Sequence, residues 1–354
     1  MRNRWGVAVL LIGLPALIPA GWTQLAPSPD APPVSTAPAA PEEEPVATLK
    51  LSVSLVDVVF TVKDKSGSLV PHLGKNDCTI SEDKVPQTLK NFAAESHLPL
   101  TLGILLDTSG SQQRVLSLEQ DVGSQFLERV LEKKDEAFLL SFDVDVDLLQ
   151  DYTNNARQLS RAMSHAEINT AGGNGAGGIP GAGGGTIPTI GAPKGTVLYD
   201  AVYLAANQKM SQETGRKAMI LLTDGEDEGS RVKINEAITA AQKSNVIVYA
   251  ILIADRGFYG GFGYSGYSAM KKLTEETGGR LIDVGNNGKK LEAAFQQIED
   301  ELRTQYVATY TPSNLKLDGT FRHLGVQCRG DGMKVQVRKG YFASKPESEG
   351  TQLN

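Results

Sequence analysis

The chain has 354 residues, with 35 Lys and Arg against 41 Asp and Glu and a formal net charge of −6. That balance excludes the clustered basic surface that nucleic-acid binding requires. Four scattered His and two Cys exclude a zinc-type ligand cluster.

Arg2 and Arg4 precede an apolar run from Trp5 to Ala20, the charged and hydrophobic regions of a secretory signal peptide. Residues 1–21 are read as that signal, which makes the remainder secreted or periplasmic. Only if the segment stays uncleaved does it serve as a membrane tether, and Pro15 and Pro19 interrupt it. Residues 22–47 carry seven Pro among Ala, Ser and Glu. Such a stretch buries no core and forms an extended linker.

Residues 48–96 read as a β-sandwich-like segment. Val53, Leu55, Val58, Phe60 and Val62 form a β-rich run, and Lys63 to Gly67 is a turn. Short strands surround Cys78 and Ile80 and run from Leu89 to Phe92.

The pattern changes over 97–305. Leu98 to Leu106 is continuously apolar, as in a strand buried on both faces. Val115, Leu118, Val122 and Phe126 follow at helical spacing. Ala137 to Phe142 and Val144 to Leu149 form a hairpin, and a helix spans Asn155 to His165. A helix over Val197–Met210 leads to a second buried strand, Ala218 to Leu222. Ile234–Lys243 is helical, Val246 to Ile253 is a third buried strand, and Met270–Glu276 is helical. Arg280–Val284 is a short strand, and Leu291, Phe295, Ile298 and Leu302 mark a last amphipathic helix. Alternating strands and helices predict an α/β domain with a doubly wound, mostly parallel sheet.

Over 306–343 the chain returns to β, at Tyr306–Tyr310, Phe321–Cys328 and Val335–Val337. This segment is expected to pack with 48–96 as one small β module, followed by a polar tail over 344–354. Two Gly-rich stretches interrupt the α/β part, 171–195 with eleven Gly and 257–267 with interleaved aromatics.

Two strand ends carry the candidate chemistry. The strand ending at Leu106 runs into Asp107-Thr108-Ser109-Gly110-Ser111, and the strand ending at Leu222 runs into Thr223-Asp224-Gly225. Beyond the carboxyl ends of an open parallel sheet such groups share one crevice. Two close carboxylates repel unless protonated or bridged by a cation. With Ser109 and Ser111 they make an all-oxygen set suited to Mg²⁺ or Mn²⁺. Taken singly, each piece has a plainer reading: Asp and Ser cap helices, and Asp-Gly is an ordinary turn. Glu226, Asp227 and Glu228 are read as favourable charge near the next helix's N-terminus, ahead of the alternative of an acidic rim that selects a partner or a second cation.

The run Ile104-Leu105-Leu106-Asp107-Thr108-Ser109-Gly110-Ser111 resembles the metal-ion-dependent adhesion site of von Willebrand factor type A domains. Gly195-Thr196-Val197-Leu198-Tyr199-Asp200-Ala201 is similar to that family's second, Thr-bearing loop, and Leu221-Leu222-Thr223-Asp224-Gly225 to its third. The three motifs stand in the family's order, over roughly 98–305. The flanking β segments resemble, more loosely, those of the type A-related secreted proteins of acidobacteria. The long Gly-rich insert before Thr196 departs from the pattern. The resemblance implies a metal held by Asp107, Ser109, Ser111, Thr196 and Asp224, with one position open to a partner protein's carboxylate. It implies adhesion or complex assembly and no enzymatic activity.

Two other functions compete. A metal-assisted phosphohydrolase would use Asp107 as nucleophile, but the motif loops offer neither a general acid nor a phosphate-binding cation. A dinucleotide could sit on Gly261-Phe262-Gly263-Tyr264-Ser265-Gly266, which matches G-x-G-x-x-G, with Asp283 about 20 residues on. The preceding strand ends several residues too early for that turn, and Gly173–Gly178 matches the pattern as well. Aromatics at Tyr259, Phe262, Tyr264 and Tyr267 are instead expected to add contact area beside the metal. Finally, Cys78 and Cys328 each sit on an apolar strand face of the β module. A disulfide and two buried free thiols both fit that placement.

Overall fold

Apolar runs bounded by turns set the order of elements in the computed structural model, which describes residues 55–94, 98–169, 195–253 and 266–343. The signal, linker and tail segments and most of both Gly-rich stretches fall outside these ranges. Among the described residues, no helix is long and apolar enough to cross a membrane.

The first four strands are β1 (Val56–Lys63), β2 (Cys78–Glu82), β3 (Val85–Gln87) and β4 (Leu89–Ala94). The α/β part opens with β5 (Leu100–Asp107), a 3₁₀ turn over Gly110–Gln112, and α1 (Leu116–Val130). Then come β6 (Glu136–Phe142), β7 (Val146–Thr153) and α2 (Ala156–Ser164). The side chain of Asn155 caps α2 by accepting from the Arg157 amide at 3.1 Å, an interaction worth about 1 kcal/mol. Helix α3 (Leu198–Leu204) runs into a π turn over Ala205–Lys209, where the sequence predicts unbroken helix to Met210. The series continues with β8 (Arg216–Thr223), α4 (Ile234–Lys243), β9 (Val246–Leu252) and α5 (Gly266–Thr277). It ends with β10 (Leu281–Asp283) and α6 (Gly288–Arg303). The last strands are β11 (Tyr306–Tyr310), β12 (Phe321–Cys328), β13 (Lys334–Val337) and β14 (Gly340–Phe342). The short strands β3 and β14 have no apolar alternation to announce them and exist because longer neighbours offer free edges.

A six-stranded sheet, in the order β10-β9-β8-β5-β6-β7, fills the centre. Only the β6–β7 pair is antiparallel; the other neighbours are parallel. Every residue of β5, β8 and β9 is buried, which is why their sequences are apolar without alternation. Helices cover both faces. Leu102, Ile104 and Leu106 pack with α1, α2 and α6, while Leu105, Leu221 and Val248 pack with α3, α4 and α5. The fold is the expected α/β, doubly wound and mostly parallel.

The flanking segments join as a module of two four-stranded sheets, β13-β1-β11-β4 and β14-β12-β2-β3. Val58, Phe60, Ile80, Tyr306 and Tyr310 are buried in its core. There Glu82, 3% exposed, accepts from Arg322 at 3.0 Å and from the Tyr310 and Tyr341 hydroxyls at 2.7 Å each. These donors offset the desolvation cost of burying the carboxyl group. Cys78 and Cys328 lie directly opposite on β2 and β12, with Cα atoms 4.0 Å apart, and they form a disulfide. Of the two alternatives for the cysteines, the structure takes the bridge. Glu301 of α6 ties the module to the α/β part: it accepts from Lys63 of β1 at 2.7 Å, Arg280 at 2.6 Å and Gln336 of β13 at 3.1 Å.

The disulfide closes a loop spanning 250 residues, a constraint on the unfolded chain worth up to about 5.5 kcal/mol in the chain-entropy account. The double variant Cys78→Ser, Cys328→Ser is expected to lose a stability of that order in chemical denaturation. Thiol counting on denatured, unreduced wild type should find none; two free thiols would exclude the bridge.

Burial pushes the Lys217 ammonium, at the start of β8, down to about 8. Between that value and the usual 10.5 the unfolded chain holds the proton that the native state has released, so stability rises with pH. Urea unfolding from pH 8 up to the onset of tyrosine ionisation should show this rise in wild type, and a flatter profile in Lys217→Met.

Candidate metal centre

The central strands place Asp107 and Asp224 at one point. From β5 the chain leaves through α1 on one face of the sheet towards β6; from β8 it leaves through α4 on the other face towards β9. The carboxyl ends of β5 and β8 therefore flank a topological switch point, where the diverging loops leave a crevice. Asp107 ends β5 and is 0% exposed; Asp224 follows β8 and is 2% exposed.

Three loops converge there. In the first, the Ser109 amide donates to Asp107 Oδ1 at 3.0 Å, and the Ser109 and Ser111 hydroxyls lie 3.0 Å apart. In the third, the Thr223 hydroxyl donates to Asp107 Oδ2 at 2.6 Å and accepts from the Gly225 amide at 2.9 Å. Asp224 Oδ1 accepts from the Glu226 amide at 3.1 Å. The second loop brings Thr196, itself buried, against the third, its carbonyl accepting from the Glu228 amide at 3.1 Å. Asp143, after β6, fastens the first and second loops. It accepts from the Thr108 hydroxyl and the Asn169 side chain at 2.9 Å each, and its carbonyl accepts from the Val197 amide at 2.7 Å.

The electrostatics are those of a site short of positive charge. Burial, and then the neighbouring Asp224, push the Asp107 carboxyl up to about 7 despite hydrogen bonds from Ser109 and Thr223 that lower it. Glu119, in the first turn of α1, is fully buried, and neither side-chain oxygen has a hydrogen-bond partner. Burial, then the charges of Asp107 and Asp224, hold its carboxyl well above the usual range. A donor set of buried carboxylates and hydroxyls, acidic and all oxygen, fits a hard divalent cation.

The five residues singled out from the sequence thus sit on three adjoining loops. Direct side-chain bonds join the first and third, and backbone bonds bring in the second. Thr223, Asp143, Asn169 and Glu119 carry no sequence signal that marks them as part of this cluster. Thr223 lay inside a quoted motif. Asp143 and Asn169 act across the sheet, and Glu119 looked like an ordinary acidic residue in a helix's first turn. The acidic run acts differently from the expectation. Asp227 accepts from the Tyr199 amide at 3.1 Å, at the start of α3 rather than of the next helix. Glu226 accepts from the Gly266 amide at 2.9 Å. Of the G-x-G-x-x-G run only Gly266 is among the described residues. Tyr259, Phe262 and Tyr264 lie outside them, and Tyr267 is 45% exposed on α5.

No family model and no curated protein matches the chain. Among solved structures it is similar to the conserved hypothetical protein BatB from Bacteroides thetaiotaomicron, at 17% identity over 58% of this chain and 99% of that one, TM-score 0.42. It is similar to proximal thread matrix protein 1 from the mussel byssus, with a zinc occupied MIDAS motif, at 13% identity over 63% and 50% of the two chains, TM-score 0.45. It is also similar to the PilB minor pilin from Streptococcus sanguinis, at 13% identity over 60% and 63%, TM-score 0.41.

Gly266 approaches the third loop so closely that a Cβ there would lie 2.6 Å from the Asp224 carbonyl oxygen and 2.7 Å from the Gly225 carbonyl carbon. Those contacts are backbone and cannot swing aside. Gly266→Ala is expected to cost roughly 1–3 kcal/mol in thermal unfolding through overpacking. An unchanged melting temperature would show that the two loops part freely.

Proposed function

We propose that this chain is a secreted or periplasmic protein of the von Willebrand factor A type that binds a protein partner through a divalent cation. Asp107, Ser109, Ser111, Thr196 and Asp224 would hold Mg²⁺ or Mn²⁺ in the crevice between the ends of β5 and β8. The observation that carries this reading is the burial of Asp107 beside Asp224, its carboxyl raised first by that burial and then by the neighbouring Asp224. Two adjacent buried carboxylates cost stability in a protein that does not use them, and a cation converts the repulsion into binding energy.

The roles follow from the donor types. Neutral hydroxyls at Ser109, Ser111 and Thr196 fill positions without cancelling the ion's charge, which leaves it able to attract an anionic group from outside. The bonds from the Thr223 hydroxyl and the Ser109 amide fix the Asp107 carboxylate in one orientation. Asp143, bonded to Thr108, Asn169 and the Val197 amide, holds the first loop against the second and so braces the hydroxyls that both carry. A carboxylate-bearing protein ligand completes the coordination, and the loops around the crevice form the contact rim. Adhesion or complex assembly outside the cytoplasm is the function this chemistry serves. The arrangement supplies binding and calls for no group transfer.

Calorimetric titration of Mg²⁺ or Mn²⁺ into purified protein should give saturable 1:1 binding. Asp107→Ala should abolish it while circular dichroism stays native. Equal binding by wild type and variant would remove the site.

A further inference from the structure

Helix α1 leaves the first loop and packs its inner face on the sheet through Leu116, Val122, Phe126 and Leu127. Glu119 belongs to that face. It lies in the first turn, level with the carboxyl end of β5 because α1 runs back antiparallel to the strand. A glutamate among these apolar neighbours is costly: an ionised carboxylate taken out of water without a partner loses several kcal/mol of solvation. Natural cores avoid such groups, and each one calls for an explanation. Here both Oε atoms are buried without a hydrogen-bond partner. The side chain of Gln112, one residue after Ser111, also buries an Oε1 without one. These are three acceptor oxygens at the root of one loop. The charges that act on Glu119 are the carboxylates of Asp107 and Asp224, so it stands within electrostatic reach of the crevice.

We propose that Glu119 is a third acidic member of the cation site, acting behind Asp107 and Asp224 on water bound to the ion. The inference rests on the cation-binding reading above. Among the described residues no three carboxylate, imidazole or thiol groups are gathered closely enough to grip a bare ion, so Glu119 acts at one remove. Water polarised by a divalent cation is a strong hydrogen-bond donor, which is what an orphaned carboxylate lacks. Outer partners of this kind orient the inner ligands and strengthen binding. Ionised by the bound cation, Glu119 adds a third negative charge that changes the character of the site. The ion is held more firmly by the chain itself, and its pull on an external carboxylate is tempered. Glu119 is thus a positioning residue that sets how the ion is divided between the chain and its partner.

Glu119→Gln keeps the shape and removes the charge. Mn²⁺ alone is the probe, titrated calorimetrically into wild type, Glu119→Gln and Asp107→Ala, with the melting temperature of each measured in EDTA. The Gln variant should bind Mn²⁺ about tenfold or more weakly, in the range typical of outer partners, while melting in EDTA no lower than wild type. A merely structural role would move the melting temperature and leave Mn²⁺ affinity alone. Wild-type affinity in Glu119→Gln, with binding abolished in Asp107→Ala, would overturn the role of Glu119 and leave the cation site standing. Undiminished binding in Asp107→Ala would overturn the site itself. If the Gln variant does not fold, Glu119→Leu, suited to the apolar face of α1, carries the same expectation and is judged the same way.

Discussion

Buried acidic groups gathered at the ends of β5 and β8 are the constraint around which the rest of the molecule is arranged. Asp107 is sealed from water and faces Asp224, and Glu119 lies behind them without a partner. In a medium of low effective dielectric, like charges a few ångström apart repel far more strongly than on a surface. The site persists because the strands that carry it are the most buried in the protein. All of β5, β8 and β9 is inaccessible, and apolar packing on two faces supplies the stability that the acidic crevice consumes.

The same arrangement accounts for the dense hydrogen bonding of the loops. Each carboxylate is oriented by groups that are themselves held: Asp107 by Thr223 and Ser109, Asp143 by Asn169 and Thr108, Asp227 by Tyr199 and Ser230. Loops braced in this way have little conformational freedom left to lose. Close backbone contact between Gly225 and Gly266 joins the third loop to the start of α5.

At the opposite end the β module closes the chain on itself. Strand β1 lies between β11 and β13, so the first and last segments of the described chain share one sheet. The disulfide, the Glu82–Arg322 pair and the Glu301 bonds to Lys63 and Gln336 join residues more than 30, and mostly more than 200, positions apart. Such contacts repay the entropy of closing long loops only when they are buried and numerous. The module thereby ties α6, through Glu301, to strands that flank the α/β part in sequence.

Local pattern by itself determined the class of fold. Apolar runs of five to nine residues, alternating with helical spacing, imply a parallel sheet covered on both faces, and this is the architecture found. It also put Asp107 and Asp224 at strand ends, where any doubly wound sheet collects its ligands. Local pattern did not determine the edge strands β3 and β14, the π turn after α3, or the cap that Asp227 makes on α3. Strand β3 pairs with β2 across a two-residue turn, β14 pairs with β12, and Asp227 reaches Tyr199 from 28 residues away; intrinsic propensity is weak beside such contacts. The two cysteines illustrate the same division. Apolar alternation put each on an inner strand face, but only the register of β2 against β12 set them opposite one another. Glu119 is the sharpest case. In sequence it is an acidic residue in a helix's first turn, where such residues are favourable and common. Only tertiary packing turned that turn inward, because Leu116, Phe126 and Leu127 must face the sheet and Glu119 shares their side of the helix.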